Sequence, residues 1–509
     1  MPAVVTTHFR NFIAEQFYES FSEAAPTNLY LFIGRVSAWT DDDNPPSPVD
    51  NVQNTDYNVW KEMIALKKMV QTDISYVAPR TNWANNTFIV QYDSSVDVSG
   101  NSFFVVTDND QVYKCLYNNR GANSTVKPTG TSTSVTQTSD GYRWKYMYTM
   151  SPPDKLKYYT STYMPAKTLA ADDGSVQWDV QQAAVNGAID VIQVSANGTG
   201  YILATNTFSS VTNTSQMVLA TGSSGADGTY TNSAVFILSG KGAGQLSNIT
   251  NYAASTRTIT ISPSFTVAPN TSSTYYVSPK VIITGDGTNA KGYANVSAGQ
   301  LKHINMITGG TNYSNSTVTV LRQGNTTNYG TGATAYPVLA PPNGHGYDPV
   351  NELYAFNVMV VGALNGGVAN GTFGTNNDFR VIGLLKDPLT AAGAVANASV
   401  YDQTHRITVV AASGNYTLDE EVTDGEGGAG VVVDWTSSNG HLKLLSTSIN
   451  TIQSAKTLTG GNSAVTSTSN VVTTGDLQIG SGKVIYVDNR KPVQRATNQI
   501  EDIKFVVTF

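Results

Sequence analysis

Charge is what this sequence has least of. Only 13% of its 509 residues are Asp, Glu, Lys or Arg, about half the usual share for a soluble chain, and Thr, Ser, Asn and Gly fill the deficit. Such chains are typically all-β and kept soluble by hydroxyls and amides. The net charge is −7 and the basic residues are scattered, so the clustered cationic footprint of a DNA- or RNA-binding protein is missing. The single cysteine, Cys115, excludes an internal disulfide framework and a cysteine-based zinc site. Within the apolar run 112–117 it reads as a small buried residue. No run of about 18 apolar residues occurs, so no membrane-spanning helix is expected. The opening MPAVVTTHFRNF lacks the charged and apolar regions of a signal peptide, and synthesis in the cytoplasm is expected.

Catalytic signatures are sparse too. P-loop, dinucleotide-binding and G-x-S-x-G fingerprints do not occur in their strand-turn-helix contexts. His8, His303, His405 and His441 are isolated, with no i, i+4 or H-x-H spacing, so no zinc site and no cofactor is expected. The densest group of titratable residues is PPNGHGYDPVNEL (341–353), with His345, Asp348 and Glu352. Nothing in their spacing makes them converge, and Gly344 and Gly346 point to a tight turn. Asp41, Asp42 and Asp43, GDG at 285–287 and TDGEGG at 423–428 are acidic enough for Ca²⁺ but lack the D-x-D-x-D-G pattern with its distal Glu. They read as solvated turns. A glycosidase needs two placed carboxylates, and no specific pair stands out.

What the sequence does have is alternation. Phe9, Phe12, Ile13, Phe17 and Phe21 recur at helical spacing behind Thr7, predicting one amphipathic helix that packs on a core. LYLFIGRVSAW (29–39) reads as a strand, 40–50 as a proline-held loop, and 56–70 as a second helix with Asp56 as cap and Trp60, Met63, Ile64 and Val70 inward. The segment 102–119 predicts a hairpin around 108–110. GYRWKYMYTM (141–150) alternates strictly, placing Tyr142, Trp144, Tyr146, Tyr148 and Met150 on one face that a sheet or another subunit must cover. At the C-terminus, 484–487 reads as a strand and 488–492 as a turn broken by Pro492. A last strand then puts Ile503, Phe505, Val507 and Phe509 on one buried face.

Beyond about residue 180 the texture changes to short β runs between Gly, Asn, Thr and Ser. GAIDVIQVSANGTGY (187–201) and GQLKHINMITGGTNY (299–313) align without gaps, matching Gly187 with Gly299, Ile192 with Ile304, Gly198 with Gly310 and Tyr201 with Tyr313. A repeated supersecondary unit predicts β modules that pack on one another. Residues 240–269 read as a further β unit, and 400–475 share the texture.

Several stretches in one order carry a family resemblance: LFIGRVSAW with PPSPVD, VWKEMIALKKM, VAPRTNW, VYKCLYNN, DGYRWKYMYTM, NDFRVIGLLKDPL and the closing SGKVIYVDNRKPV…IEDIKFVVTF. The chain resembles the baseplate wedge subunits of T4-type contractile-tailed phages, the products of tail gene eight, especially the longer versions of cyanobacterial phages. The resemblance implies a mainly β, non-enzymatic framework with a few helices, interrupted by inserted small β modules. Residues 1–180 would be its first part, 181–340 the inserted repeats, 341–400 its middle, 401–477 a second β-rich insertion and 478–509 its last strands. It also implies a virion protein that forms a homodimer and joins other wedge proteins in the tail baseplate, with no nucleic-acid or membrane partner.

Arg80, Trp83, Tyr142, Trp144, Tyr146, Tyr148, Phe505 and Phe509 are the expected anchors, at an interface or inside the framework. The rival reading is a tail adhesin that binds host surface glycans through its Gly/Thr/Asn-rich modules. Against it stand the absence of heptads and of a long uniform β-helix repeat, and the position of the family motifs outside the modules.

Overall fold

The computed structural model describes residues 4–23, 27–223, 225–325, 327–365, 378–399, 402–448, 451–494 and 500–509. The chain is mainly β, with short helices between antiparallel strands, as the alternation predicts. It forms two compact units: Met1–Val77 with Phe356–Phe509, and Ala78–Ala355. The repeat region lies within the second unit.

In the first unit one sheet has the strand order Met63–Lys68, Leu29–Gly34, Asp378–Lys386, Lys483–Gln494. Leu29–Gly34 is buried at every position because both of its faces are covered. Leu29, Leu31 and Ile33 join Val358, Val360, Leu384 and Phe505 in one apolar cluster, while Tyr30 and Phe32 join Trp60, Met63 and Leu385 in another. Each such side chain stabilises the fold by roughly 1.5–3 kcal/mol relative to exposure.

The strand ends at Gly34, since Arg35 takes a left-handed conformation, φ 57°. Its predicted extension to Trp39 therefore stops short. The predicted helix 56–70 is also corrected: helical turns end at Glu62, and Met63–Lys68 is a strand paired with Leu29–Gly34. Burial of Met63, Ile64, Ala65 and Leu66 in succession suits a strand covered on both faces, and tertiary pairing overrides the helical spacing. Val70 is half exposed.

The first helix spans Thr7–Glu19, and Thr6 rather than Thr7 caps it, its hydroxyl accepting from Phe9 N–H at 3.2 Å. Its stripe divides. Phe17 and Phe21 pack on the core, but Phe9 and Phe12 are 55% and 52% exposed, beside exposed Val5.

The C-terminal segment pairs along Asn357–Asn365, with Phe505 opposite Val360. Phe505 stacks on Tyr486 with ring centroids 5.3 Å apart, and Phe509 meets Phe17 of the first helix at 5.5 Å. The chain does not turn at 488–492: Lys483–Gln494 is one strand. It lies at the sheet edge, and the register shift between Phe379 and Val381 takes up the extra residues around Pro492, which is where a ladder tolerates proline. Residues 405–473 of the same unit close a six-stranded barrel around Ile407, Val422, Val432, Leu442, Leu444 and Leu458.

In the second unit the predicted hairpin forms from Phe104–Val106 and Gln111–Asn118 and continues into Tyr142–Thr149. The repeat is larger than the two aligned segments. Ile189–Thr199 pairs with Thr331–Leu339, and Gln300–Thr308 pairs with Lys291–Ser297, in the same register: Tyr336 faces Gln193 where Tyr293 faces Asn305, and Pro337 faces Ile192 where Ala294 faces Ile304. Tyr201 N–H donates to Gly299 O at 3.0 Å and Tyr313 N–H donates to Gly187 O at 3.2 Å. Each repeat thus lends a strand to the other in an approximate two-fold arrangement. Between the two partners of that arrangement the chain detours through a seven-stranded sheet, from Ala204–Thr207 to Thr274–Pro279, with its own core of Met217, Val235, Tyr252, Ile259 and Tyr275.

Candidate functional site

The strand Tyr142–Thr149 is buried on both faces. Tyr142, Trp144 and Tyr146 enter a cluster with Ile89, Val105, Tyr113, Cys115 and Val180, so neighbouring elements of the same chain cover the aromatic face. The opposite face is covered as well, although it carries Arg143 and Lys145, only 8% and 4% exposed. On the next strand Lys114 stands directly opposite Lys145. Like charges in that position repel, and in an interior each ammonium also loses its hydration.

Lys114 is paired, although burial still outweighs its Glu352 partner and lowers its pKa. Its Nζ donates to Glu352 Oε2 at 2.9 Å and lies 3.2 Å from His345 Nδ1 and 3.9 Å from the centre of the Tyr92 ring. Glu352 Oε1 accepts from the N–H groups of Gly346 at 2.7 Å and Asp348 at 3.3 Å. Burial by itself would raise the Glu352 pKa, but the Lys114 charge and the His345 contact outweigh it and hold the carboxyl near about 2. Burial, and then the Lys114 charge, depress the His345 pKa. The imidazole is therefore neutral.

PPNGHGYDPVNEL is thus partly brought together. His345 and Glu352 meet, in the turn predicted by the flanking glycines, whereas Asp348 caps the short helix Pro349–Glu352 by accepting from Asn351 N–H at 3.2 Å.

Beside this cluster lies a cavity of about 410 Å³, bounded by residues 133–137, Arg143, Lys145, residues 183–185, Ala188, Asp190, residues 305–310 and His345. Lys145 Nζ donates to Thr133 O at 2.6 Å, and an Arg143 Nη donates to Asn305 Oδ1 at 3.0 Å. The sequence shows Arg143 and Lys145 inside the aromatic motif, but the alternation carries information only about the aromatics. The register that sets Lys114 against Lys145, and the approach of Asp190, have no sequence signal.

The other expected anchors are placed as follows. Tyr148 is buried and donates to Pro165 O at 2.7 Å, and Phe505 is buried. Arg80 donates to Asn82 Oδ1 at 2.8 Å and Thr160 O at 2.7 Å and lies 4.1 Å from the Tyr159 ring centre. Trp83 is half-buried, its indole N–H donating to Ser124 Oγ at 3.0 Å. Trp144 Nε1 is buried without an acceptor among the described residues.

The acidic stretches are tied up as well. Asp42 is not a free solvated carboxylate, because Arg380 grips it with two donors, at 2.9 and 2.8 Å. Asp286 accepts from Ser314 N–H and Asn315 N–H, and Asp424 from Glu426 N–H and Gly428 N–H. Among the described residues no group of three or more His, Cys, Asp or Glu side chains is placed to hold a metal.

Residues 3–116 match the family model described as Bacteriophage T4, Gp8. The chain is also similar to the baseplate wedge protein gp8 of Enterobacteria phage T4, 22% identical over 200 residues, covering 32% of this chain and 60% of the relative. The chain is thus similar to that family over residues 3–116, and it spans about 60% of the length of the curated relative that it matches.

Proposed function

We propose that the protein is a structural virion protein, a wedge subunit of a contractile phage-tail baseplate, which acts by holding its neighbours and not by turning over a substrate. The observation that carries this reading is the match of residues 3–116 to the gp8 family together with the alignment to a baseplate wedge protein. The arrangement of charge agrees with it: Glu352 and Lys114 are sealed in an ion pair, 3% and 0% exposed at their side chains, so neither is presented to a substrate. A wedge subunit needs broad contact surfaces with an apolar centre, and exposed Phe9 and Phe12 on the first helix, with exposed Val5 just before it, all within the matched segment, supply one. In this reading the partners are a second copy of the chain and other wedge proteins.

The test is to mix the purified protein with the other wedge proteins of its phage and measure mass by light scattering. The expected outcome is a dimer that enters a larger wedge complex. Replacing Phe9 and Phe12 by Glu should weaken that complex by about tenfold or more, as the loss of a contact centre does, with an unchanged melting temperature. A stable trimer that ignores the wedge proteins and binds host polysaccharide would sink the reading in favour of an adhesin.

A further inference from the structure

We infer that the cavity beside Lys145 is a binding site for a small polar ligand bearing an oxyanion: a carboxylate, sulfate or phosphate group. The inference is independent of any role in assembly.

Charge balance is the first support. Facing one another around the cavity and the adjoining cluster are three cations, Lys114, Lys145 and Arg143, and two carboxylates, Glu352 and Asp190. His345 is neutral. One carboxylate is spent on Lys114 in a direct ion pair. Asp190 interacts with Lys145 only through space, and the direct acceptors of Lys145 and Arg143 are neutral, Thr133 O and Asn305 Oδ1. With the three cations protonated, one positive charge is left uncompensated in an interior where charges are ordinarily paired, and burial, followed by the Lys114 charge, lowers the Lys145 pKa accordingly.

The second support is geometric. Lys145 is 4% exposed and has three donors, of which one is taken by Thr133 O. It lines a space of about 410 Å³, within the range of small-molecule sites. An ammonium held opposite another ammonium is costly to the fold, and a cost of that kind next to an open cavity marks a functional site.

The third support is the lining. The lining mixes polar residues, among them Thr133, Thr136, Gln137, Asn305 and Thr308, with small and aliphatic ones, and no aromatic side chain other than the His345 imidazole bounds the space. That favours a ligand held by charge and hydrogen bonds over a neutral sugar held by stacking.

The experiment is calorimetry and thermal melting of the full chain with sodium phosphate, sodium sulfate, sodium glucuronate and, as the uncharged control, glucose, all at one ionic strength set with chloride. At least one of the three anions should bind saturably and raise the melting temperature, and glucose should not. Lys145→Met should fold, because an apolar isostere removes an uncompensated charge, and should bind that anion at least about tenfold more weakly. Thr308→Trp, at an exposed position on the rim, should block binding without touching a buried charge. Sulfate or phosphate binding without glucuronate points to a free inorganic ion or phosphorylated ligand, and glucuronate binding to an acidic sugar; either supports the site. No anion effect beyond chloride, equal binding of glucose, or wild-type binding by both Lys145→Met and Thr308→Trp overturns it. If Lys145→Met does not fold, undiminished anion binding by Thr308→Trp alone overturns it.

Discussion

The two compact units treat buried cations differently. In the first, Arg380 is held by Asp42 and Asp378, at 2.8 and 2.6 Å, and Lys443 by Asp402 at 2.8 Å. In the second, Lys114 has Glu352, but Lys145 and Arg143, equally buried, make no ion pair among the described residues. A paired buried charge serves the fold, since removing one partner strands the other. An unpaired one facing a cavity gains only neutral hydrogen bonds from the fold and is open to a ligand's charge. The first unit thus reads as scaffold throughout, and the second as scaffold with a site in it.

The largest expected effect falls on the scaffold. Deleting residues 503–509 removes most of the strand paired with Asn357–Asn365 and takes Phe505 out of the main cluster and Phe509 away from Phe17. The first unit should lose its cooperative unfolding transition and its protected amides in hydrogen exchange. Retention of both would mean that the closing strand is an accessory. Next come the ion pairs. Glu352→Gln and Asp402→Asn should each cost about 3–5 kcal/mol in a urea titration, because each strands a buried lysine, while Lys145→Met should cost little. If Lys145→Met proves as damaging as Glu352→Gln, the distinction between paired and unpaired cations fails.

How much of this could be read from the sequence depended on the range of the forces involved. Alternation is local, so the hairpin around Asp108–Asp110, the aromatic strand and the buried face of Ile503 and Phe505 were legible, as was the mainly β class. The helix forecast for 56–70 failed because Met63–Lys68 is drawn into a sheet by a strand some thirty residues earlier. The exposed half of the first helix failed for a related reason, as periodicity marks an apolar stripe but not what covers it. Half of the repeat was visible in 187–201 and 299–313. The partner strands, whose edges read GTNAKGY (287–293) and GTGATAY (330–336), are short and their matches fall outside the first alignment. The cavity was hidden altogether: its charges come from strands and loops that only the cross-strand register brings together.

The two-fold arrangement offers a smaller effect. Gly198 and Gly310 occupy equivalent places, with φ of 61° and 66°. A methyl group on Gly198 would strike Thr331 O and Ala333 N and lie 2.8 Å from the Tyr201 ring, and one on Gly310 would strike Thr288 O and Ala290 N and lie 2.8 Å from the Tyr313 ring. Gly198→Ala and Gly310→Ala should therefore destabilise by similar amounts, about 1–3 kcal/mol each, as measured by the midpoint of thermal unfolding. Unequal costs would show that the shared register does not extend to shared energetics.

The smallest effect is a pH dependence that separates the neutral and ionised members of the buried cluster. His345 has a lowered pKa in the fold, from burial and the Lys114 charge, so between its unfolded value, about 6.5, and its folded one the unfolded chain binds the extra proton. Stability supplied by the neutral imidazole is therefore complete above about pH 6.5 and declines as the pH falls. His303 and His405, also lowered by burial, add to the same decline, so His345→Gln should flatten it in part. The amide can accept from Lys114, and each unit of pKa shift removed is worth about 1.4 kcal/mol. Glu352 acts in a lower window. Held near about 2 against about 4.3 in the unfolded chain, its contribution is present above about pH 4.3 and lost as the pH falls towards 2. Unfolding free energies measured from pH 7 to pH 3 should therefore show wild type and His345→Gln diverging as the pH falls below about 6.5. A variant that tracks the wild type through the upper window would mean that burial and the Lys114 charge do not hold His345 neutral, and the charge count around the cavity would change with it.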